Sequence, residues 1–393
     1  MKKILFLGGP EFQIPFIKKA KEKGYFVGII DISPNAPALD FADKVYISSV
    51  KDKEKVLEIA QDFNPDGITV GMVDSAVLTC AYVTTKLGLP GLSEEVAQKA
   101  TNKYDMIKAF EKNNVPHPWF IYVPKEDINK KLEIPSYPVI VKPVDMAGSR
   151  GISIAFSYDE LIKALSYSAN VSERGNIIVE EYLEGPEVSV EIVVKDSIPE
   201  VIQITDKTTT GAPHFAEIGH LQPSQLPSNI LNEIANVACN AAKSIGLINS
   251  LVHAEIKVTK NGPKMIELGA RGGGDGIAEQ LLELSTGVSF PEIALQIAMG
   301  EPITIPRERK QNASCIRFIQ TQEGILDSIK NVDESRLLKG IADIKILGIT
   351  GNQYHNVVDN SGRLGYVIAT SESAESAKDL CDKAISKIIV NYR

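Results

Sequence analysis

The chain has 393 residues, 44% of them hydrophobic, enough for two or three domains with substantial cores. No unbroken apolar run approaches membrane length and no signal-like N-terminus is present, so the sequence is read as soluble, cytoplasmic and free of membrane contact. A net charge of −8 argues against a nucleic-acid partner, and Cys80, Cys239, Cys315 and Cys381 form no Cys-x-x-Cys pair, which suggests small, buried, reduced thiols.

Lys3 to Leu7 is a short apolar run closed by Gly8-Gly9-Pro10, a buried strand feeding a turn. A helical stretch reaches Gly24, a strand runs from Phe26 to Ile30, and Val45–Ile47, Asp52–Phe63, Ile68–Val70 and Ser75–Leu87 continue the alternation. That βαβα pattern predicts a parallel sheet covered by helices. A dinucleotide site is tempting here, but Gly8-Gly9 does not fit G-x-G-x-x-G, and Asp31 reads better as a strand-end cap than as a ribose ligand.

From Thr101 the character changes. Lys103 opens an amphipathic segment broken by Val115-Pro116-His117-Pro118. Tyr137 to Pro143 is a strand carrying Lys142 at its end, followed by Gly148-Ser149-Arg150-Gly151 and a second strand from Ile152 to Phe156. Glycines between two strands let backbone N–H groups close over phosphates, although a plain hairpin tip would look the same; the Walker sequence is absent. Asn176 to Glu180 is a strand, and Glu180-Glu181-Tyr182-Leu183-Glu184-Gly185-Pro186-Glu187 offers a hinge at which backbone groups could read a purine edge. Leu183 and Tyr182 would pack on the ring, and Glu187 would meet ribose hydroxyls.

Thr205 to Pro223 is a polar run with little periodicity, containing His214 and His220, and is expected to be a long functional loop. Ser228 to Ile245 predicts a helix with one buried face. His253 to Thr259 and Pro263 to Gly269 then read as a hairpin around Asn261-Gly262. A three-residue loop, Lys260 to Gly262, sets Glu255 opposite Glu267, with Ala254, Ile256 and Val258 facing Leu268 and Ile266. His253, Glu255 and Lys257 share the other face with Glu267 and Gly269. Opposed carboxylates repel unless a cation lies between them, and hard oxygen ligands of this kind suit Mg2+. A solvated hairpin with chance acidic residues is the competing reading, so the rest of the chain has to decide. Arg271 lies two residues beyond Gly269 on the same face, and Gly272 to Gly276 leads into a helix whose N-terminus would favour an anion. Short strands follow from about Gln311, and an amphipathic helix runs around Ala374 to Ile389; no catalytic constellation is visible there, and Arg363 and His355 are read as surface or packing residues.

The ordered series Lys103, Lys142, Gly148-Ser149-Arg150-Gly151, Glu180 to Glu187, Glu255 and Glu267-x-x-x-Arg271 resembles the ATP-grasp superfamily across essentially the whole chain. Within it, the chain is most similar to carboxylate-amine ligases such as the L-amino acid ligases and carbamoyl-phosphate synthetase-like proteins. The resemblance implies an α/β protein, α+β in its ATP-grasp part: a Rossmann-like N-terminal domain over 1–100, an ATP-grasp domain over 101–308 with a lid at about 115–183, and a small α+β C-terminal domain over 309–393.

It further implies that Lys103 and Lys142 contact ATP phosphates under the 148–151 loop, that Glu180, Glu181, Tyr182 and Leu183 frame the adenine, and that Glu187 holds the ribose. Glu255 and Glu267 would hold Mg2+, with Mn2+ as a substitute. Arg271, Lys142 and His253 would act on the transferred phosphate and the reacting groups. The expected partners are a small-molecule carboxylate and an amine, with a homodimer compatible with the family. The expected product is an amide formed through an acyl phosphate. A purine-pathway ligase acting on a ribonucleotide amine or bicarbonate is the first rival, and a nucleotide-binding module without catalysis the second. Many members carry Asn where this chain has Gly269, which removes one oxygen ligand and leaves a second metal open.

Overall fold

The computed structural model describes residues 1–146, 148, 150–211 and 216–393. The first sheet is parallel: β1 (Lys3–Leu7), β2 (Phe26–Asp31), β3 (Lys44–Ile47) and β4 (Gly67–Thr69) lie in the order β3-β2-β1-β4. Helices α1 (Ile14–Glu22), α2 (Lys53–Phe63) and α3 (Val77–Leu87) cover it, because Leu5, Leu7 and Ile30 bury against Val56, Ala60, Phe63 and Val83 on one face, and Ile4, Phe6, Val27 and Ile29 against Phe16 and Ile17 on the other. Asp52 caps α2 by accepting from the Lys55 amide. Asp31 caps the turn as expected, accepting from the amides of Gly9 at 2.7 Å and Ser33 at 2.8 Å.

After α4 (Glu94–Thr101) and α5 (Lys103–Lys112) comes a four-stranded antiparallel sheet, β5 (Phe120–Val123), β6 (Val139–Pro143), β7 (Ser153–Ala155) and β8 (Ile177–Glu181), in the order β5-β8-β6-β7 and backed by α6 (Tyr158–Val171). The largest sheet is wholly antiparallel and runs β13-β12-β9-β10-β11-β14-β18-β16. Its strands are β9 (Glu187–Lys195), β10 (Ile198–Thr209), β11 (Glu217–Gln222), β12 (Ser250–Thr259), β13 (Gly262–Gly269), β14 (Ala313–Gln320), β16 (Ile341–Ile346) and β18 (Arg363–Ser371). A small sheet adds β15 (Gly324–Lys330), β17 (Gln353–Tyr354) and β19 (Ile389–Tyr392). The remaining helices are α7 (Ser228–Ser244), α8 (Leu282–Thr286), α9 (Phe290–Ala298), α10 (Val332–Arg336) and α11 (Ala374–Lys387), with a π-helical turn at Ile277–Leu281 before α8.

Two expectations need correction. The polar run from Thr205 is mostly not a loop: it forms the end of β10 and all of β11, paired Asp206 to Leu221 and Lys207 to His220. Its polar residues hid the strand period because they face a cleft rather than a core. The hairpin also differs at its tip. His253 pairs with Gly269, Ala254 with Leu268 and Glu255 with Glu267, as the three-residue loop requires. Beyond Glu255 the register shifts, so that Ile256 pairs with Met265 and Thr259 with Gly262, leaving the two-residue tip Lys260-Asn261. Ile266 is the extra residue of this bulge, and Met265, fully buried, takes the core place expected of Ile266.

Candidate active site

A cavity of about 340 Å³ opens between the four-stranded sheet and the largest sheet. Its floor follows from strand periodicity. On β9, Val188, Val190 and Ile192 enter the core under α7, so Glu187, Ser189 and Glu191 face the opposite way. On β12, Ala254 and Ile256 enter the same core, which turns His253, Glu255 and Lys257 toward the cleft. The register then sets His253 against Glu191, Glu255 against Ser189 and Lys257 against Glu187. Two of these three cross-strand pairs join opposite charges, the favourable arrangement.

The residues expected at the phosphates and metal come together here. Lys103 stands at the start of α5, capped by the Asn102 side chain; its ammonium donates to the Met146 carbonyl at 2.7 Å and lies 3.0 Å from Glu267. Burial alone would lower its pKa, but Glu267, Asp74 and Glu180 hold it above the ordinary lysine value. Lys142 is 3% exposed and pairs with Glu180 at 2.7 Å. The Glu180 carboxylate is therefore committed to that lysine, and its backbone lies within the ladder, paired with Phe120 and Ile140.

His253 binds Glu191 through Nδ1, and its Nε2 lies 3.4 Å from Glu255. Burial opposes its charge, yet Glu191 and Glu255 raise its pKa to about 9, so it is an imidazolium at neutral pH. For Glu255, the cost of burial is outweighed by Lys207 and His253, and its carboxyl lies far below the usual range. Arg271 donates from Nε to Asp74 at 3.0 Å and from its guanidinium to the Gly272 carbonyl at 2.9 Å. Gly269 gives this arginine room: a Cβ there would stand 3.3 Å from the Arg271 side chain. Glu255 and Glu267, directly opposed and each matched by a lysine ammonium, form a hard-oxygen donor set suited to a divalent cation.

Tyr182, Leu183, Glu181 and Glu187 line the other end of the cavity with Ile140 and Ile154, and Glu181 is held by Lys264 at 2.7 Å. Gly148 also lines the cavity. Gly151 does not: its φ of +78° makes a turn against Pro143, where a Cβ would come within 2.6 Å, and this accounts for the glycine without a phosphate. Arg150 lies on an exposed turn and is not among the residues that line the cavity. Ser149 and His214 lie outside the described residues.

Several cleft residues escaped sequence reasoning. Lys207 is 4% exposed and reaches Glu187 at 2.7 Å, Glu217 at 2.9 Å and Glu255 at 3.1 Å. Despite complete burial, these carboxylates raise its pKa well above the ordinary value. Beyond it, Glu217, Asp275 and His220 cluster, with Asp275 bound by both terminal guanidinium nitrogens of Arg363 at 2.9 Å. Burial would raise the Glu217 pKa, but Lys207 and His220 bring it down to about 2. Arg363 is thus no surface residue: its side chain is 10% exposed and reaches the cleft from β18. The signal that could have found Lys207 was the alternation Thr205, Lys207, Thr209 read beside Glu187, Ser189, Glu191; for Arg363 no local signal existed. His355 is exposed beside Glu323, as expected.

Residues 135–279 match the model of the ATP-grasp domain, and residues 317–393 match the L-amino acid ligase C-terminal domain 2. The alanine–anticapsin ligase of Bacillus subtilis is 28% identical over 73% of this chain and 65% of its own length. A formate-dependent phosphoribosylglycinamide formyltransferase of Sulfurisphaera tokodaii is 24% identical over 99% of this chain and 97% of its own. The solved L-amino acid ligase of Bacillus licheniformis superposes with a TM-score of 0.88 over 100% of this chain and 99% of that one, at 22% identity, a likeness of fold. Among the described residues, no helix is long and apolar enough to cross a membrane.

Proposed function

We propose that this chain, an ATP-dependent ligase built on an ATP-grasp domain with the C-terminal domain of the L-amino acid ligases, joins a small carboxylate to an amine through an acyl phosphate. The substrate carboxylate oxygen attacks the γ-phosphorus of ATP and ADP leaves; the amine nitrogen then attacks the acyl carbon, loses a proton and expels phosphate. One observation carries this reading: a single cleft holds two carboxylate groups of different setting. The opposed pair Glu255 and Glu267 shares it with Lys103, Lys142 and Arg271; Glu217, joined to Glu255 through Lys207, and Asp275 are carboxylates suited to receiving an ammonium.

ATP-grasp enzymes use ATP with Mg2+, and a divalent cation held by Glu255 and Glu267, with Mn2+ able to substitute, would neutralise phosphate charge. The chain's own groups supply the remainder. Lys103 and Lys142 hold phosphate oxygens, Arg271 stabilises charge on the transferred phosphoryl group, and His253 fixes Glu255 through its Nε2. Positioning and charge neutralisation of this kind account for most of the rate of phosphoryl transfer. Glu181, Tyr182, Leu183 and Glu187 contact the nucleoside, and Gly148 belongs to the lid whose closure excludes water from the acyl phosphate. We assign these roles within three units, 1–100, 101–308 and 309–393.

The full-length similarity to a phosphoribosylglycinamide enzyme supports a second reading, a ribonucleotide amine as acceptor. A ribose phosphate would need cations beside the acceptor carboxylates. There Arg363 is occupied by Asp275, and Lys207 by three carboxylates, which favours the amino acid reading. ADP release from pairs of amino acids decides between them. Turnover that requires both a carboxylate and an amine supports the proposal; turnover only with a ribonucleotide overturns it, and none with any pair leaves a binding module.

A further inference from the structure

The C-terminal segment reaches the acceptor carboxylates of the cleft through two side chains, Asn360 and Arg363. Arg363 opens β18 just after the Asn360-Ser361-Gly362 turn. Its guanidinium makes a bidentate pair with Asp275, donates to the Glu217 carbonyl at 3.0 Å, and lies 3.6 Å from the centroid of the Phe318 ring. Asn360 Oδ1 accepts from the Glu217 amide at 2.9 Å. Both backbone polar groups of Glu217 are therefore held by a segment more than 140 residues away, the separations being 143 and 146.

Two further features accompany these contacts between strands of the largest sheet. Asp275 has φ +59°, a backbone state that a non-glycine residue keeps only where its surroundings impose it. His220 is 1% exposed and neither ring nitrogen makes an aligned hydrogen bond; its Nε2 lies 3.4 Å from Glu217 and 3.9 Å from Asp275. The ring packs edge-on against Phe318, 6.0 Å between centroids, with both carboxylates on its Nε2 side. Glu217, Asp275 and Asn360 all line the cavity, whereas Lys103, Lys142, Glu255 and Glu267 make no contact with Arg363 among those described.

We infer that Arg363, with Asn360, is a positioning residue for the incoming amine: it holds the Asp275 and Glu217 carboxylates at the spacing that accepts the amine's N–H bonds and leaves its nitrogen lone pair facing the acyl carbon. The inference rests on the amide-forming reading above. An arginine suits the task because its planar fork satisfies a carboxylate bidentately, keeps a third donor for the Glu217 carbonyl, and stacks on an aromatic ring; lysine matches none of these geometries.

Hydroxylamine tests this, because it is a small nucleophile that traps an acyl phosphate as a hydroxamate without needing an oriented acceptor. In the full-length protein, with an amino acid pair that supports ADP release, Arg363→Ala should lower amide formation about tenfold more than hydroxamate formation from the donor alone. The KM for the acceptor should rise while the KM for ATP stays within about twofold. Millimolar methylguanidinium should restore part of the amide activity, and Arg363→Lys should recover little. Should Arg363→Ala fail to fold, Asn360→Ala and Arg363→Lys carry the same comparison. Equal losses of amide and hydroxamate in the folded variants, or an unchanged acceptor KM, overturn the inference while leaving the proposed function intact. Absence of amino-acid-dependent ADP release in the unaltered protein removes the proposed function itself, and this inference with it.

Discussion

The two carboxylate groups of the cleft are built on different plans. The pair proposed for the metal is local: Glu255 and Glu267 oppose each other across one hairpin, and His253 and Lys257 lie on the same face of the same strand. The acceptor group is assembled from β11, the turn before the π-helical segment and β18, so Glu217, Asp275 and Arg363 meet only after the largest sheet has closed. A site held by one hairpin keeps its geometry as long as two strands pair. A site held by three distant segments depends on how β18 is placed in the largest sheet.

The largest expected effect breaks the pair proposed for the metal. Glu267→Gln should lower turnover on the order of a thousandfold while circular dichroism stays unchanged, since a divalent cation supplies several kcal/mol of charge stabilisation; normal activity would remove the metal assignment. Next is Gly273→Ala, because a Cβ there would stand 2.6 Å from both Glu191 and His253. Roughly 2–3 kcal/mol of stability should be lost, read as a lower urea midpoint; an unshifted midpoint would show that the floor yields easily.

The two groups should also titrate in opposite directions. His253 has a folded pKa raised from 6.5 to about 9, so its contribution is full below pH 6.5 and is lost as pH rises through 9. His253→Gln should therefore be less stable than the parent by on the order of 2 kcal/mol at pH 6, with the gap closing above pH 9. Glu217 has a folded pKa lowered from 4.5 to about 2, so the deficit of Glu217→Gln should be full above pH 4.5 and vanish as pH falls toward 2. Urea midpoints across pH that run parallel for the two variants would erase the distinction. Smallest of all, His355→Ala, at the exposed Glu323 pair, should change stability by less than about 0.5 kcal/mol.

How much was readable in the sequence follows the same division. Strand and helix periods located most elements, and the hydrophobic pattern of Ala254, Leu268 and the residues beyond fixed the pairing of Glu255 with Glu267. The bulge at Ile266 was hidden, because Ile266 and its neighbour Met265 are both apolar and either could fill the core place opposite Ile256. β10 and β11 were hidden for another reason: Lys207, Thr209 and Glu217 point into a cleft, so polar residues stand where a core strand would show valine or isoleucine. Nothing near Asn360 or Arg363 signals a role, since their partners lie 143 and 146 residues away. At Gly151 the fold has a reason for the glycine that motif order did not suggest, a turn against Pro143.

Lys207 gives the cleft one more property. An ammonium among Glu187, Glu217 and Glu255 does in the empty protein what a divalent ion would do for Glu255. The acidic floor is thus neutralised by the chain's own lysine. Under the proposed metal assignment, Lys207 would give up Glu255 and keep Glu187 and Glu217. Chelation should then leave the melting temperature within a few degrees while stopping turnover, and Lys207→Met should make stability depend on magnesium.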